Sequence, residues 1–108
     1  MTRIPMPAAL AVLALPIACG TASAADNDAS ALRARNHAAA CTSCHGPHGR
    51  PPAGSPIPAL AGRPQSELVS QMQAFKAGTR PATVMHQIAN GYSDDQIAAI
   101  AAWFAAIR

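Results

Sequence analysis

The chain has 108 residues, half of them apolar, 12% charged and only 4% aromatic, with a formal net charge of +3. A chain of this length forms one small domain whose modest core calls for a staple or a cofactor. Beyond Arg3 the basic residues Arg33, Arg35, Arg50, Arg63, Lys76, Arg80 and Arg108 are scattered, which indicates no nucleic-acid surface.

Residues 1–24 read as a secretory signal peptide. Arg3 supplies the positive start, Ala8 to Ala18 the apolar run, and Ala22-Ser23-Ala24 a small-residue cleavage site. The run is too short to span a bilayer, so residues 25–108 are expected as a single periplasmic domain with no transmembrane segment. Cleavage also removes Cys19, leaving Cys41 and Cys44 as the remaining cysteines. A competing reading makes Cys19 a lipidated N-terminus, because Ala18-Cys19-Gly20 resembles the end of a lipoprotein signal, although Pro16 stands where leucine is usual.

Ser30 or Asp28 is placed to cap a helix running through Ala31 and Leu32 to Cys41. Its small residues Ala34, Ala38 and Ala39 permit a second helix to cross at close range. At its end stands Cys41-Thr42-Ser43-Cys44-His45. A C-x-x-C-H pentad is the attachment signature of a c-type haem. Its two thiols reach the vinyl groups of one porphyrin, and the following imidazole binds iron from the proximal side. A thioredoxin-like dithiol requires a βαβ pattern that this chain lacks. A zinc site requires a second ligand pair, and His37, His48 and His86 do not stand at zinc spacing. His37 reads as a surface position.

From Gly46 to Pro64 six prolines exclude a long helix or central strand, leaving an extended loop that wraps one edge of the haem. A backbone carbonyl of this loop is suited to accept a hydrogen bond from the free ring nitrogen of His45. Gln65 to Ala77 restores helical spacing, with Leu68, Met72 and Phe75 on one side and Gly78 as the stop. Met72 belongs to that stripe and reads as core. Pro81 opens a short helix through Ala89, closed by Asn90-Gly91. Met85 near its start is the preferred second iron ligand, opposite His45, with His86 as substitute. The last helix has a possible Ser93/Gln96 capping box, Asp94 and Asp95 at its positive end and Arg108 at the other. Ile97, Ile100, Phe104 and Ile107 form its apolar stripe, with Trp103 filling space near the crossing or the haem edge.

Export signal, helix, C-x-x-C-H, proline-rich loop, methionine and terminal amphipathic helix together resemble a small class I c-type cytochrome of bacteria. Ile57-Pro58-Ala59-Leu60-Ala61-Gly62, the Gln71 to Gly78 segment and Tyr92-Ser93-Asp94-Asp95-Gln96-Ile97 are similar to the cytochrome c-four group. Thr83 to Tyr92 is closer to the cytochrome subunit of flavocytochrome c sulfide dehydrogenase. The resemblance implies an all-α fold whose N- and C-terminal helices cross, wrapped around one covalent haem c. It implies thioethers at Cys41 and Cys44, axial iron ligands at His45 and Met85, and the Pro58 carbonyl as partner of His45. A single pentad departs from the two-haem c-four proteins and favours a single-haem subunit. With both axial positions filled, such a protein relays electrons: from the flavin of a sulfide-oxidising flavoprotein subunit to a downstream redox protein. Two alternatives are a free shuttle to an oxidase or reductase, and a haem enzyme or sensor with an open iron site.

Overall fold

The structure is a computed structural model that describes residues 22–108. Of the segment read as an export signal, residues 1–21, with Cys19, lie outside the described residues. The described chain runs α1 (Ala22–Ala39), α2 (Thr42–His45), a 3-10 turn (Pro47–Gly49), α3 (Gln65–Lys76), α4 (Met85–Asn90) and α5 (Asp94–Ala105). Among the described residues there is no strand. The fold is all-α, as the sequence reading expects.

Helix α1 starts well before the expected cap. Asp28 and Ser30 lie inside it, in a stretch that is exposed as far as Arg33. Alanine-rich sequence carries the helix there by propensity, without packing. Contact with the body comes at Ala38, 1% exposed, which sits in one cluster with Leu68, Ile100, Ala101 and Phe104. A side chain of one methyl group lets α1 cross α5 closely. His37 beside it is half-buried, not a surface residue, because its ring meets Tyr92 edge-to-face at 6.2 Å.

After Ala39 the chain turns, with the Cys41 amide donating to Ala38 O at 3.0 Å, and re-enters a single helical turn at Thr42. The proline-rich loop then leaves through Gly46, at φ 82°, where a Cβ would stand 2.3 Å from Arg50 O. Gly49, also left-handed, sits beside the Phe104 ring, and a Cβ there would stand 2.8 Å from it. Its carbonyl accepts from the amides of Leu60 and Ala61, while the Gly62 amide donates to Phe104 O at 2.9 Å. The first two bonds close the loop on itself, and the last fastens it to α5.

Helix α3 ends in a Schellman motif. The Gly78 amide donates to Phe75 O and the Thr79 amide to Ala74 O. Helix α4 begins at Met85, later than Pro81, because Val84 at φ −137° is still outside helical space. Residues 81–84 therefore form an irregular, bent lead-in to α4. Helix α5 carries a full capping box between Ser93 and Gln96. It stops at Ala105, so Arg108 lies beyond its last turn. Trp103 faces α1, in a cleft with Arg35, Ala38 and His48, on the outer side of the crossing.

Lys76 joins α3 to α5, donating to Tyr92 O at 2.8 Å and to Asp94 Oδ1 at 3.0 Å. Gln73 donates to the same carboxylate oxygen at 3.0 Å. The Gln73 hydrogen bond first, and Lys76 second, hold the Asp94 carboxyl below its usual value. A depressed folded pKa contributes stability above the unfolded value, about 3.9, and loses it as pH falls through the folded value. Thermal melts of Asp94→Asn and wild type should therefore differ at neutral pH and converge in acid. A gap that persists unchanged into acid contradicts this.

Candidate functional site

Pentad, loop and helices enclose a cavity of about 810 Å³. That is toward the upper end of the roughly 300–1,000 Å³ of ligand pockets. Cys41, Cys44 and His45 line one part of it, and Ile57, Pro58 and Leu60 of the loop another. Helix α3 presents Leu68, Met72 and Phe75, the three residues of its apolar stripe, and α5 presents Ile97, Ile100 and Phe104. The irregular segment before α4 adds Arg80 to Val84, and Met85 follows.

The pentad geometry follows from its short helical turn. The His45 amide donates to Cys41 O at 2.9 Å, which places both cysteines and the histidine within one turn. Both cysteines are free, Cys41 half-buried and Cys44 exposed. Burial pushes the Cys41 thiol up, a backbone hydrogen bond opposes that, and the neighbouring Cys44 adds to it. Cys41 is thereby held as a neutral thiol. Burial, with Cys41 nearby, likewise raises the Tyr92 phenol.

His45 is buried, at 8% exposure. Its Nδ1 lies 2.7 Å from Pro58 O, and as that oxygen only accepts, Nδ1 carries the proton. In the neutral imidazole this tautomer leaves the lone pair on Nε2. Among the described residues the one buried side-chain polar atom lacking a partner is Nδ1 of His86. Nε2 of His45 has no hydrogen-bond partner among the described residues, and His45 lines the cavity. The chain thus offers an imidazole on the wall of an apolar chamber, set in orientation by a backbone carbonyl.

Met85 and Met72 both bring thioethers to the wall, Met85 from the first position of α4 and Met72 from the middle of α3. His86 does not line the cavity, and neither do His37 and His48. Sequence reasoning passed over Arg63, Arg80, Gln71 and Tyr92, which do. Only Arg80 had a local signal, its place two residues beyond the helix-stopping Gly78.

A sequence model of the cytochrome c family matches residues 31–107. Cytochrome c4 of Pseudomonas aeruginosa (strain PAO1) is 42% identical over 86 residues, 80% of this chain and 41% of that protein. A thiosulfate dehydrogenase electron acceptor of Stutzerimonas stutzeri (strain A1501) is 41% identical over 68 residues, 60% of this chain and 31% of that protein. The cytochrome subunit of sulfide dehydrogenase of Chlorobaculum tepidum (strain TLS) is 36% identical over 64 residues, 59% of this chain and 56% of that protein. The chain spans about a third to a half of the length of these relatives.

The chamber fits a haem c by its volume, its apolar wall, its paired thiols and its oriented imidazole. The wall residues otherwise face water, and the fully buried core is small. A chain kept haem-free by Cys41→Ala with Cys44→Ala should lack a cooperative thermal transition by circular dichroism. A haem-free chain melting as sharply as the holoprotein would show that the helices hold themselves together.

Proposed function

The chain belongs to the cytochrome c family and carries a covalently bound haem c, and from that premise we propose that it is an exported electron-transfer subunit accepting electrons from a sulfide-oxidising flavoprotein. When bound, the haem supplies one-electron exchange between ferric and ferrous iron. In this reading Cys41 and Cys44 would form the thioethers, His45 Nε2 and the Met85 thioether would hold the iron, and Pro58 orients His45. The observation that carries it is the His45 to Pro58 hydrogen bond at 2.7 Å, on a wall shared with both cysteines and Met85. With His45 and Met85 both holding the iron, no position would be left for a substrate, which favours relay. The surrounding Leu68, Phe75, Ile97 and Phe104 exclude water and solvate an added positive charge poorly, which together with a thioether donor raises the potential.

The flavoprotein partner is supported by Thr83 to Tyr92, which resembles the cytochrome subunit of flavocytochrome c sulfide dehydrogenase, and by the Chlorobaculum relative of that name. Likeness to a thiosulfate dehydrogenase electron acceptor favours a second reading, a free shuttle that meets its donors in passing. Both readings place the domain in the periplasm after cleavage following Ala24. Among the described residues no helix is long and apolar enough to cross a membrane.

Affinity purification of the exported protein from its own cells, with visible spectra before and after sulfide, separates the readings. Co-purifying flavin absorbance, a second chain and sulfide-driven haem reduction are expected for the subunit. Haem reducible by dithionite and indifferent to sulfide rejects the subunit in favour of the shuttle. The axial assignment has its own test. Met85→Ala should lower the midpoint potential and let the ferric protein bind added imidazole, whereas an unchanged ferric spectrum and potential excludes Met85.

A further inference from the structure

A second cavity, a cleft of about 430 Å³, lies on the outer side of the crossing between α1 and α5. It shares no residue with the haem chamber, yet the two back onto the same turn: Thr42 lines the cleft, while Cys41 and Ser43 line the chamber. Ala38, Ala39 and Pro47 give the cleft apolar surface, Trp103 adds an aromatic one, and Arg35 and His48 are its charged or titratable members. No carboxylate lines it; Asp28, the nearest acid before Arg35 on α1, stands seven residues earlier. The ion pairs of the described residues, Arg63 with Glu67 and Lys76 with Asp94, use neither Arg35 nor His48. The Thr42 hydroxyl already donates to Ala39 O at 2.7 Å, which leaves Arg35, His48 and the Trp103 indole as the donors for a ligand.

His48 is held in place by its backbone. Among the described residues it is the one non-glycine in the left-handed region, at φ 55° and ψ 23°. A residue with a Cβ persists there only where its surroundings fix it. Here the Gly49 amide donates to Gly46 O at 2.9 Å and the Arg50 amide to Pro47 O at 3.0 Å, closing turns on both sides of it. The imidazole is therefore presented at the cleft with little backbone entropy left to lose on binding. It donates an N–H in either charge state and adds a second positive charge when protonated.

The chemistry of the occupant follows from the lining. Arg35 and His48 are exposed, so a lone small anion gains little there against water and salt. A segment that also covers the half-buried Trp103 adds apolar burial to the same charges, and Trp with Arg is the pairing that interface centres favour. We infer that this cleft docks a carboxylate-rich segment of a partner protein, its acidic side chains on Arg35 and His48 and an apolar side chain over Trp103. The inference is independent of which protein donates electrons. A segment confined to the cleft leaves the exposed chamber residues Ile57 and Val84 uncovered, so a second redox protein retains access to them.

The test is an NMR titration of the ferrous, isotope-labelled holoprotein with a capped peptide of glutamates and leucines. The indole N–H of Trp103, the single tryptophan of the chain, reports on the cleft. Its resonance should shift saturably with peptide, and the affinity should fall as salt is raised. Arg35→Gln and His48→Gln should each weaken binding about two- to fivefold, and the double variant about tenfold, with haem content and visible spectrum unchanged. Should His48→Gln fail to load haem, Arg35→Gln decides by itself. Arg33→Gln removes an equal charge from α1 outside the cleft and should leave the affinity unchanged. An indole that does not move, or equal weakening by Arg33→Gln, overturns the inference. So does equal affinity for the peptide with glutamine in place of glutamate, which makes the cleft a merely apolar groove. Saturation of the same shift by acetate at the peptide's concentration overturns it too, in favour of a small-anion site. Sulfide-indifferent protein that still binds the peptide removes the flavoprotein reading alone.

Discussion

Phe104 is where the parts of this molecule meet, and its burial is the contact on which the arrangement depends. The ring is 1% exposed, packs in one cluster with Ala38 of α1 and Leu68 of α3, lies against Gly49, and still lines the cavity. Its backbone oxygen accepts from Gly62 and closes the proline-rich loop. Burying such a ring is worth roughly 1.5–3 kcal/mol, a large share of a small domain's net stability. Two positions around it must stay small: Ala38, so that α1 can cross, and Gly49, because any Cβ there would enter the ring.

From that anchor the haem chamber follows. Holding the loop to α5 brings Pro58 back over the pentad, thirteen residues after His45, and fixes which ring nitrogen is protonated. Holding α3 to α5 through Lys76 and Gln73 sets the apolar stripe of α3 as the facing wall. The Schellman end of α3 then directs the chain along the cavity margin, through Arg80, to Met85. Structural bonds and site geometry are in this protein the same bonds, which ties the stability of the fold to the cofactor's fit.

Much of the site was legible in local spacing. The pentad is contiguous, so its turn geometry is local. The capping box of α5 and the glycine stop of α3 are likewise short-range, and both stand where their residues indicate. The helix starts were read less well. α1 needs no cap at Ser30 because alanines carry it onward, and α4 waits for Met85 because Val84 is still outside helical space. His37 read as surface, and its partner Tyr92 lies 55 positions away. Trp103 read as crossing or haem edge, and the crossing takes it, since the ring leaves α5 on the side of α1.

Residue spacing alone determined the covalent anchor, the helical class, the order of helices and the stretch of chain that must be loop, since each depends on neighbours a few positions apart. Tertiary structure alone decided which carbonyl of six prolines' worth of loop meets His45 and that two methionines reach the cavity while His86 does not. It also decided that, of seven scattered cations, Arg63 and Arg80 line the chamber, Arg63 with its own carboxylate and Arg80 without one. These choices depend on how far α1 and α3 can approach α5, a property of packed side chains distant in sequence that no local pattern encodes.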